Sequence, residues 1–372
     1  TMTTDGLTAA DFEAAARDYM QAHGQEPPSE FVWNSSKFQR YHIEGDKKGS
    51  KNGWYLGYMD EYPLLIFGSH KTGIKEKFRF NRNGRAPTQA ERDVWKKKDL
   101  QRKAKRLAAH EKASELAEEI ICQSNEASPE HPYLKKKHVQ PHGLRQISRT
   151  ELKAAAPDLE IFGSGDLLVV PLQDTLGKLW SVQFITDGGD KVFLEGGRVE
   201  ALYFPIGEIK DRGIICEGFA SGATDHEATG HAVFCAMNAG NLPKVANAQR
   251  EKHPAVKFTI AADHDKPAKN SGIRAGEKFG REAALAIGAR FAMPPVEGMD
   301  FNDLAKEKGL EAVCAEFDSA LKTPAPESNS AETESVKILI EHEDVDLLPG
   351  VPTPNSLFDG PPVSLDLPDL PK

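Results

Sequence analysis

Acidic side chains follow three apolar stretches in the second half of the chain. Glu217 comes directly after the apolar residues 213–216, and Asp263 and Asp265 come after a longer apolar run. Carboxylates that converge within a few ångströms repel one another unless they are protonated or bridged by cations. Oxygen ligands of this kind favour Mg²⁺ or Mn²⁺. We therefore predict a metal site with these ligands: Glu217, Asp263, Asp265 and Asp300.

The segments around these acids alternate between strands and helices. Apolar runs predict strands at 213–216, 231–235, 256–262 and 289–293, and the segments between them predict helices at about 221–229, 242–252 and 271–287. This order predicts a parallel sheet with helices on both faces, whose ligands lie outside the carboxyl ends of the strands. Helix capping would explain one or two acids at that edge. Four acids at three successive strand ends favour a metal site.

Shorter strands and a long helix are predicted upstream of this sheet. The patterns indicate helices over 5–24 and 133–137, and strands at 39–43, 54–58, 64–67, 167–171 and 179–185. Pro87 and the capping box Thr88-Gln-Ala-Glu91 precede a stretch without Gly or Pro that reaches about Cys122. This stretch predicts a long helix, basic in its first half. It is either a solvated charged helix, or a nucleic-acid contact or positively charged hinge.

The net charge of −9 conceals two opposite blocks. Residues 71–106 hold 14 Lys or Arg against four Asp or Glu, an excess that attracts phosphate backbones. Residues 323–372 hold ten Asp or Glu against two Lys, together with nine prolines. We expect this last stretch to be a disordered acidic tail. It either keeps the protein soluble or docks a partner through apolar residues such as Leu357 and Phe358.

The sequence also disfavours several classes of protein. The four cysteines are far apart and form no C-x-x-C pair, which disfavours a structural zinc site or disulfide scaffold and favours a reducing cytoplasm. No run of about 18 apolar residues predicts a membrane span, and the first residues do not resemble a signal peptide. Because no G-x-x-x-x-G-K-[ST] motif occurs, we do not expect the chain to be its own helicase or ATPase.

Three motifs at the predicted sheet edge resemble the Toprim domain: Glu217-Gly, Asp263-x-Asp265 and Gly-Met-Asp300-Phe-Asn-Asp303. This domain is shared by bacterial-type primases, type IA and type II topoisomerases, and some nucleases and recombination proteins. The stretch from His131 to Arg198 resembles the basic subdomain that precedes Toprim in plasmid and phage primases. In bacterial primases a lysine that matches Lys191 faces the active site. A weaker resemblance to phage primase-helicases extends towards residue 35.

The chain departs from the pattern of this family in three places. Many relatives carry a zinc ribbon at the amino end, and this sequence has no set of zinc ligands there. Asn302 stands where many relatives have an aspartate, and Ala220 and Ser221 stand where a further acid often follows Glu-Gly. The resemblance therefore adds Asp303 to the implied metal ligands, and it implies metal binding more firmly than it implies the number of ions.

The resemblance to primases implies template-directed synthesis of short RNA primers on single-stranded DNA by metal-dependent nucleotidyl transfer. The implied catalytic residues are Glu217, Asp263, Asp265 and Lys191, acting with a pair of Mg²⁺ or Mn²⁺ ions. The implied nucleotide- and template-binding residues are Lys136, Lys137, Arg145, Lys191 and Arg198. For Arg145 and Arg198, an ordinary surface charge is the alternative.

Partners follow from the same resemblance. A primase of this kind would use single-stranded DNA as template and nucleoside triphosphates as substrates in the cytoplasm of a bacterial host. It would work with a separate replicative helicase, for which the acidic tail is a candidate docking segment. Two alternatives stay open: a metal-dependent nuclease or topoisomerase-like enzyme, and a non-catalytic nucleic-acid-binding or inhibitory protein.

The expected fold class is α/β. A Toprim-like parallel sheet flanked by helices would follow an α+β basic primase subdomain and a small β-rich N-terminal domain. The predicted divisions are a small α+β N-terminal domain at the zinc-ribbon position (1–86), a basic linking helix (87–125), the basic primase subdomain (126–210), the Toprim catalytic domain (211–320) and the acidic tail (321–372). A length of 372 residues fits more than one domain.

Overall fold

A computed structural model describes residues 8–35, 38–46, 49–59, 63–79, 88–159, 161–267 and 272–322. The predicted acidic tail from residue 323, with Leu357 and Phe358, lies outside these residues, as do Pro87 and the first residues of the helix predicted over 5–24. The side chain of Glu91, in the predicted capping box, also lies outside the description. In the part of the chain that is described, no helix is both long and apolar enough to cross a membrane.

The amino-terminal part is an antiparallel sheet with a helix on one face. Helix α1 is Ala9–Ala22, and the strands in spatial order are β1 (Gln39–Tyr41), β2 (Gly53–Tyr58), β3 (Leu64–Ser69) and β4 (Lys75–Arg79). Phe12, Met20, Leu65 and Phe67 form the core between helix and sheet. Strand β4 was not predicted, because its sequence Lys-Glu-Lys-Phe-Arg has the charges typical of an edge strand rather than an apolar alternation.

Helix α2 (Gln89–Gln123) follows, close to the bounds predicted for the long basic helix. Its second half is anchored, because Ala113, Ala117 and Ile120 are buried against the next sheet. Its first half is open to solvent, where even Leu100 is 61% exposed. The anchored half fixes the direction of the helix, and the exposed half presents its basic residues to solvent.

The second sheet is antiparallel throughout, in the order β5-β6-β7-β8-β9. Its strands are β5 (Asn125–Glu126), β6 (Arg145–Ile147), β7 (Leu167–Gln173), β8 (Leu179–Ile185) and β9 (Lys191–Phe193), with helices α3 (Pro132–Lys137) and α4 (Arg149–Ala155) on either side of β6. Strands β7 and β8 and helix α3 match predicted segments. The other strands have two or three residues, too few to show a periodic pattern.

The third sheet alternates with helices in the predicted order. Its strands are β10 (Phe204–Ile206), β11 (Arg212–Cys216), β12 (Ala232–Cys235), β13 (Lys257–Ala261) and β14 (Arg290–Ala292). Its helices are α5 (Phe219–Thr229), α6 (Leu242–Lys252), α7 (Ala275–Ile287), α8 (Phe301–Lys308) and α9 (Leu310–Lys322), with a 3₁₀ turn at Ala239–Asn241 before α6.

The strands of this sheet lie in the order β10-β12-β11-β13-β14. Strands β11 to β14 are parallel, and β10 runs antiparallel to β12 at one edge. Helices α5, α8 and α9 pack on one face, and α6 and α7 pack on the other. The predicted α/β fold is confirmed, with one correction: the sheet is not wholly parallel, because the short strand β10 closes its edge in the opposite direction.

Strand register brings the ends of β11 and β13 together. Cys216, the last residue of β11, is paired with Cys235 of β12 and with Ala261 of β13. Because these strands are parallel, the residues that follow them leave the sheet at one edge. Gly222 of α5 permits tight packing below that edge, since a Cβ there would lie 2.4 Å from the sulfur of Cys235. The edge that carries the acids therefore rests on close-packed, buried groups.

One hydrophobic core joins the second and third sheets. Leu168 and Leu172 of β7 lie in the same buried cluster as Ile214 of β11, Phe219 of α5 and Phe301 of α8. A shared core of this kind fixes the position of the elements that contribute to it. The basic residues of the second sheet are thus held in a defined place relative to the acids of the third.

Candidate metal-binding site at a sheet edge

Glu217 is the first residue after β11, at the turn into α5. The next residue, Gly218, is the N-cap of α5, and a Cβ at this position would lie 3.5 Å from Nζ of Lys191. Lys191 is the first residue of β9, so the second sheet delivers its ammonium group to the edge of the third. Glu217 and Lys191, both predicted as catalytic residues, are therefore neighbours.

Asp265 is held at the amino end of α7. The backbone N–H of Gly276 donates a hydrogen bond to Oδ2 of Asp265 at 2.8 Å. A Cβ at position 276 would lie only 2.4 Å from the carbonyl oxygen of Asp263, so glycine allows the helix to approach the strand end. The free N–H groups of a helix N-terminus stabilise a carboxylate. This contact fixes the loop that carries Asp263 and Asp265.

Asp300 is the N-cap of α8, and its Oδ1 accepts a hydrogen bond from the backbone N–H of Asp303 at 2.7 Å. Its Oδ2 lies 3.8 Å from Nζ of Lys137, at the end of α3. The helix-cap explanation is thus correct for one oxygen of Asp300. The other oxygen stays on the side of the basic residues. Asp303 lies in the first turn of α8, where its carboxylate contacts Lys306 at 3.2 Å.

Asp263, Asp265, Asp300 and Asp303 border a pocket of about 280 Å³. Its lining residues are Asp263, His264, Asp265, Lys266, Gly298, Met299, Asp300 and Asp303. Glu217 belongs to the same edge, because its carboxylate interacts electrostatically with Asp265 and Asp300. Four of the five acids predicted as metal ligands therefore line one pocket, and Glu217 lies close enough to interact with two of them.

The proximity of these acids changes their protonation. Burial and the negative charge of Asp265 raise the pKa of Glu217 from 4.5 to about 7, against the opposing effects of Lys191 and of a hydrogen bond from the backbone N–H of Ala239. Burial and the charges of Glu217 and Asp300 raise the pKa of Asp263 well above its usual range. In both cases the ionised form is disfavoured until a positive charge arrives.

One carboxylate oxygen of Asp263 lacks a hydrogen-bond partner within the described ranges. This oxygen, Oδ1, is also buried. A buried carboxylate oxygen without a partner destabilises the fold, and a bound cation would remove that penalty.

The described side chains nevertheless contain no ready-made group of three or more His, Cys, Asp or Glu ligands for a metal. Mg²⁺ commonly keeps water and takes substrate phosphates as its other ligands. The donor set therefore fits a hard cation that water and substrate complete, rather than one enclosed by protein alone.

The predicted basic residues separate into two groups. Lys137 and Lys191 reach the acids, as described above. Lys136 is exposed on the same helix as Lys137, with Nζ 3.5 Å from the carbonyl oxygen of Gly188, which is too long for a strong hydrogen bond. In the described structure Lys136 therefore lies next to Lys137 in α3, but it makes no contact with the carboxylates of the site.

Arg145 and Arg198 make contacts elsewhere. Arg145 lies in β6, and its guanidinium group donates a hydrogen bond to the carbonyl oxygen of Ser124. Arg198 lies over the ring of Trp180, 4.9 Å from its centroid, and donates to the carbonyl oxygen of Glu200. These contacts favour a role in stabilising the second sheet and the segment after it.

Sequence reasoning missed two residues in the pocket, His264 and Lys266. His264 joins two loops: its backbone N–H donates to the carbonyl oxygen of Met299 at 3.0 Å, and its Nδ1 lies 2.9 Å from the carbonyl oxygen of Pro294. The side chain of Lys266 runs across Gly298, where a Cβ would lie 2.7 Å from its Cε. Their positions between and directly after Asp263 and Asp265 were the signal that could have found them.

Two buried polar residues near the site were also missed. Asn241 holds the turn that contains Ala239, since its Nδ2 donates to the carbonyl oxygens of Val199, Leu202 and Ala236 at 3.1, 3.0 and 2.9 Å. Asp225 on α5 is fully buried, and burial with the charge of Asp300 raises its pKa well above its usual range. No feature of the sequence marks either residue, because their partners are distant along the chain.

The third sheet and its helices match a known domain family. Residues 212–311 match the model of the Toprim domain. The matched stretch begins with β11 and ends in α9, so it contains the sheet edge with Glu217, Asp263, Asp265 and Asp300. The Toprim fold predicted from the three acidic motifs is confirmed.

Two curated relatives, both named DNA primase TraC and both from Escherichia coli, are similar over a longer stretch. One is 31% identical over 278 residues, which is 72% of this chain and 25% of the relative. The other is 28% identical over 268 residues, which is 69% of this chain and 17% of the relative. The chain thus spans about a quarter or less of the length of these relatives. The predicted resemblance to Toprim-containing primases is confirmed.

Two solved structures with a detectable likeness to this chain carry primase names. The primase fragment of the bacteriophage T7 primase-helicase protein covers 50% of this chain and 73% of its own, with 14% identity and a TM-score of 0.37. The DnaG primase catalytic domain bound to ssDNA covers 57% of this chain and 80% of its own, with 12% identity and a TM-score of 0.39. Superposition at this level is loose, and no conclusion about this chain depends on it.

Proposed function

We propose that the chain is a DNA primase, which synthesises short RNA primers on single-stranded DNA by metal-dependent nucleotidyl transfer. The observation that carries the proposal is the sheet edge at which Asp263, Asp265 and Asp300 lie close to Lys137 of α3 and Lys191 of β9. Transfer of a nucleotidyl group requires carboxylates that bind metal ions and positively charged side chains that neutralise the phosphates. The Toprim match and the similarity to curated DNA primases support the same activity.

The proposed ligands of Mg²⁺ or Mn²⁺ are Glu217, Asp263, Asp265, Asp300 and Asp303. The unpartnered Oδ1 of Asp263 and the raised pKa values of Glu217 and Asp263 support a cation at this edge. When bound, a pair of such ions would stabilise charge on the attacking and leaving oxygens of the displacement.

The residues of the chain itself position and neutralise the substrates. Lys191 of β9 and Lys137 of α3 approach the acids, where they can hold the triphosphate next to the metal ligands. Glu217, with a pKa of about 7, can act either as a ligand or as a proton acceptor near neutral pH. We propose that the exposed Lys136 contacts the template and that Arg145 and Arg198 support the second sheet.

We also propose the domain division predicted from the sequence. Residues 1–86 would form the N-terminal domain, 87–125 the linking helix, 126–210 the basic subdomain, 211–320 the catalytic domain and 321–372 the tail. The three sheets and the long helix α2 support the first four divisions. Single-stranded DNA and nucleoside triphosphates are the proposed substrates, and a replicative helicase is the proposed partner that would supply the single strand.

The proposal is tested by incubating the chain with single-stranded DNA, labelled nucleoside triphosphates and Mg²⁺ or Mn²⁺. Labelled oligonucleotides that depend on the template and resist DNase are the expected product. Shortened template without new oligonucleotides would indicate a nuclease instead. Binding of DNA without either product, over a panel of templates and both metals, would indicate a non-catalytic binding protein and would overturn the proposal.

A further inference from the structure

The amino-terminal sheet presents an apolar surface on the face opposite α1. Along β2, Tyr55 points into the core with α1, so its neighbours Trp54 and Leu56 point to the other face. Strand register places Arg40, Trp54, Gly68 and Lys75 in one row across that face. Leu56 and Ile66 form the next row. Trp54, Leu56 and Ile66 are only half-buried, whereas the solvent face of an antiparallel sheet is ordinarily polar, so this apolar surface is a candidate ligand-binding face.

Aromatic rings dominate one corner of this face. The indole of Trp54 lies flat across Gly68, where a Cβ would come within 2.6 Å of the ring. Phe38 meets Trp54 edge to face at 5.2 Å between ring centroids, and the ring of His70 is 6.0 Å from Trp54. Phe38 is 57% exposed and Trp54 is partly exposed, so flat rings are available to a ligand from solvent.

Positive charge surrounds these rings. Arg40 and Lys75, at the two ends of the row that contains Trp54, are both exposed. Helix α2 borders the same face, because Arg102 lies over the ring of Tyr58 at 4.1 Å from its centroid. A hydrogen bond from Lys244 is the main cause that lowers the pKa of Glu200, and the charges of Lys75 of β4 and Arg106 of α2 lower it further, so both cations lie near this residue. The exposed basic half of α2 is therefore part of the surface that carries the rings.

We propose that this aromatic face, with the first half of α2 at its border, binds single-stranded nucleic acid. Unpaired bases stack on exposed aromatic rings, while flanking cations neutralise the phosphates, and the two features occur together here. A double helix hides the faces of its bases, so the rings favour a single strand. The choice of DNA as occupant rests on the proposed function, and the binding itself requires no catalysis.

The test measures the affinity of the full chain for two labelled probes, an oligothymidylate and an abasic sugar-phosphate chain of equal length. Phe38→Ala and Trp54→Ala should each weaken binding of the oligothymidylate about tenfold, as expected for the loss of one stacked base. Binding of the abasic chain should stay unchanged, because it offers no base to stack. Trp54→Phe should restore most of the affinity. The control is Phe162→Ala, which removes a ring that is 87% exposed in a different part of the molecule.

Equal affinity of the wild type, Phe38→Ala and Trp54→Ala for the oligothymidylate would overturn the inference. An equal loss on both probes would also overturn it, because charge or folding would then explain the effect. A parallel assay of primer synthesis distinguishes a failure of this inference from a failure of the proposed primase function. A chain that binds through Trp54 but makes no primer refutes the primase and keeps the binding face. A chain that makes primers but binds equally well without Trp54 refutes the binding face alone.

Discussion

The side-chain amide of Asn302 donates a hydrogen bond of 2.7 Å to the carbonyl oxygen of Lys137, which lies 165 positions earlier in the chain. The same Nδ2 donates to Oγ1 of Thr224 at 3.0 Å. Asn302 is buried near the start of α8, two residues after Asp300. It thereby fixes the end of α3, which carries Lys137, against the helix that carries two of the proposed metal ligands.

Removal of this amide should loosen the site and the fold together. Asn302→Ala leaves a buried carbonyl oxygen without its donor, so we expect the free energy of unfolding to fall by about 1–3 kcal/mol. Denaturant titration measures this loss, and a parallel decrease in primer synthesis should accompany it. Asn125→Ala, at an exposed position of β5, is the matched control. An unchanged unfolding midpoint in Asn302→Ala would show that the hydrogen bonds of this amide do not stabilise the fold.

Asp263 should be essential for catalysis and dispensable for DNA binding. Asp263→Asn keeps the size of the side chain but removes the charge that a metal ion requires, so synthesis should fall at least about a hundredfold. Affinity for single-stranded DNA should change little, because the basic surfaces are untouched. Asp211→Asn, at the opposite end of β11 and 81% exposed, is the control. Wild-type synthesis by Asp263→Asn would rule out the metal assignment.

The position of the acids at one sheet edge was predictable, because parallel strands all end at the same edge. Once apolar runs alternate with helices, acids that follow the strands must meet at one edge, and Glu217, Asp263 and Asp300 do so. The antiparallel direction of β10 was not predictable, since three residues carry no periodic signal.

Side-chain partners were the least predictable feature. Arg198 is basic and lies in the segment that resembles primases, but Trp180 provides a ring for its guanidinium group. Asn302 departs from the family pattern, and only the folded chain reveals its bonds to Lys137 and Thr224. Such contacts join residues that are remote in sequence, where no local pattern records them.

The pKa of Glu217 leads to a prediction about stability and pH. Because this pKa is raised from 4.5 to about 7 in the folded chain, the folded state binds the proton more tightly than the unfolded state. The resulting stabilisation is complete below about pH 4.5 and is lost as the pH rises through about 7. Glu217→Gln, which stays neutral, should therefore stabilise the metal-free protein at about pH 8 by on the order of 2 kcal/mol.

Melting temperatures measured in the presence of a chelator test whether Glu217→Gln stabilises the protein at the higher pH. At about pH 5, where the wild-type carboxyl is still mostly protonated, the variant and the wild type should melt at similar temperatures. Added Mg²⁺ should raise the melting temperature of the wild type at the higher pH, and should raise that of Glu217→Gln less. A variant that is less stable than the wild type at the higher pH would show that the carboxylate is already neutralised by other groups.

Lys191 should influence both nucleotide binding and the protonation of its neighbour. Its positive charge lowers the pKa of Glu217, so Lys191→Ala should shift the acid limb of the pH profile for synthesis to higher pH. The KM for nucleoside triphosphates should rise as the contact with phosphate is lost, and Lys191→Arg should restore part of both effects. Lys210→Ala, an exposed position before β11, serves as the control. A change in KM without a shift in the pH profile would show that Lys191 contacts the nucleotide but does not influence the protonation of Glu217.

The distribution of charge predicts how DNA binding depends on salt. Ten acids and two lysines in residues 323–372 give that stretch a charge of −8, so the rest of the chain carries only −1 of the total −9. Within that rest, the exposed residues Lys103, Lys105 and Arg106 of α2 can neutralise phosphates. Each phosphate contact with a single strand lowers the slope of log affinity against log salt by about 0.7. Affinity should therefore fall steeply as salt is added.

Replacing Lys103, Lys105 and Arg106 by alanine should make the salt slope shallower by up to about 2, because three ionic contacts are lost. Fluorescence anisotropy of a labelled single strand at several salt concentrations measures the slope. Lys308→Ala, at the exposed end of α8, should leave the slope unchanged. A triple variant with the wild-type slope would place the phosphate contacts elsewhere, whereas a flat response in the wild type would exclude ionic binding of DNA by this helix.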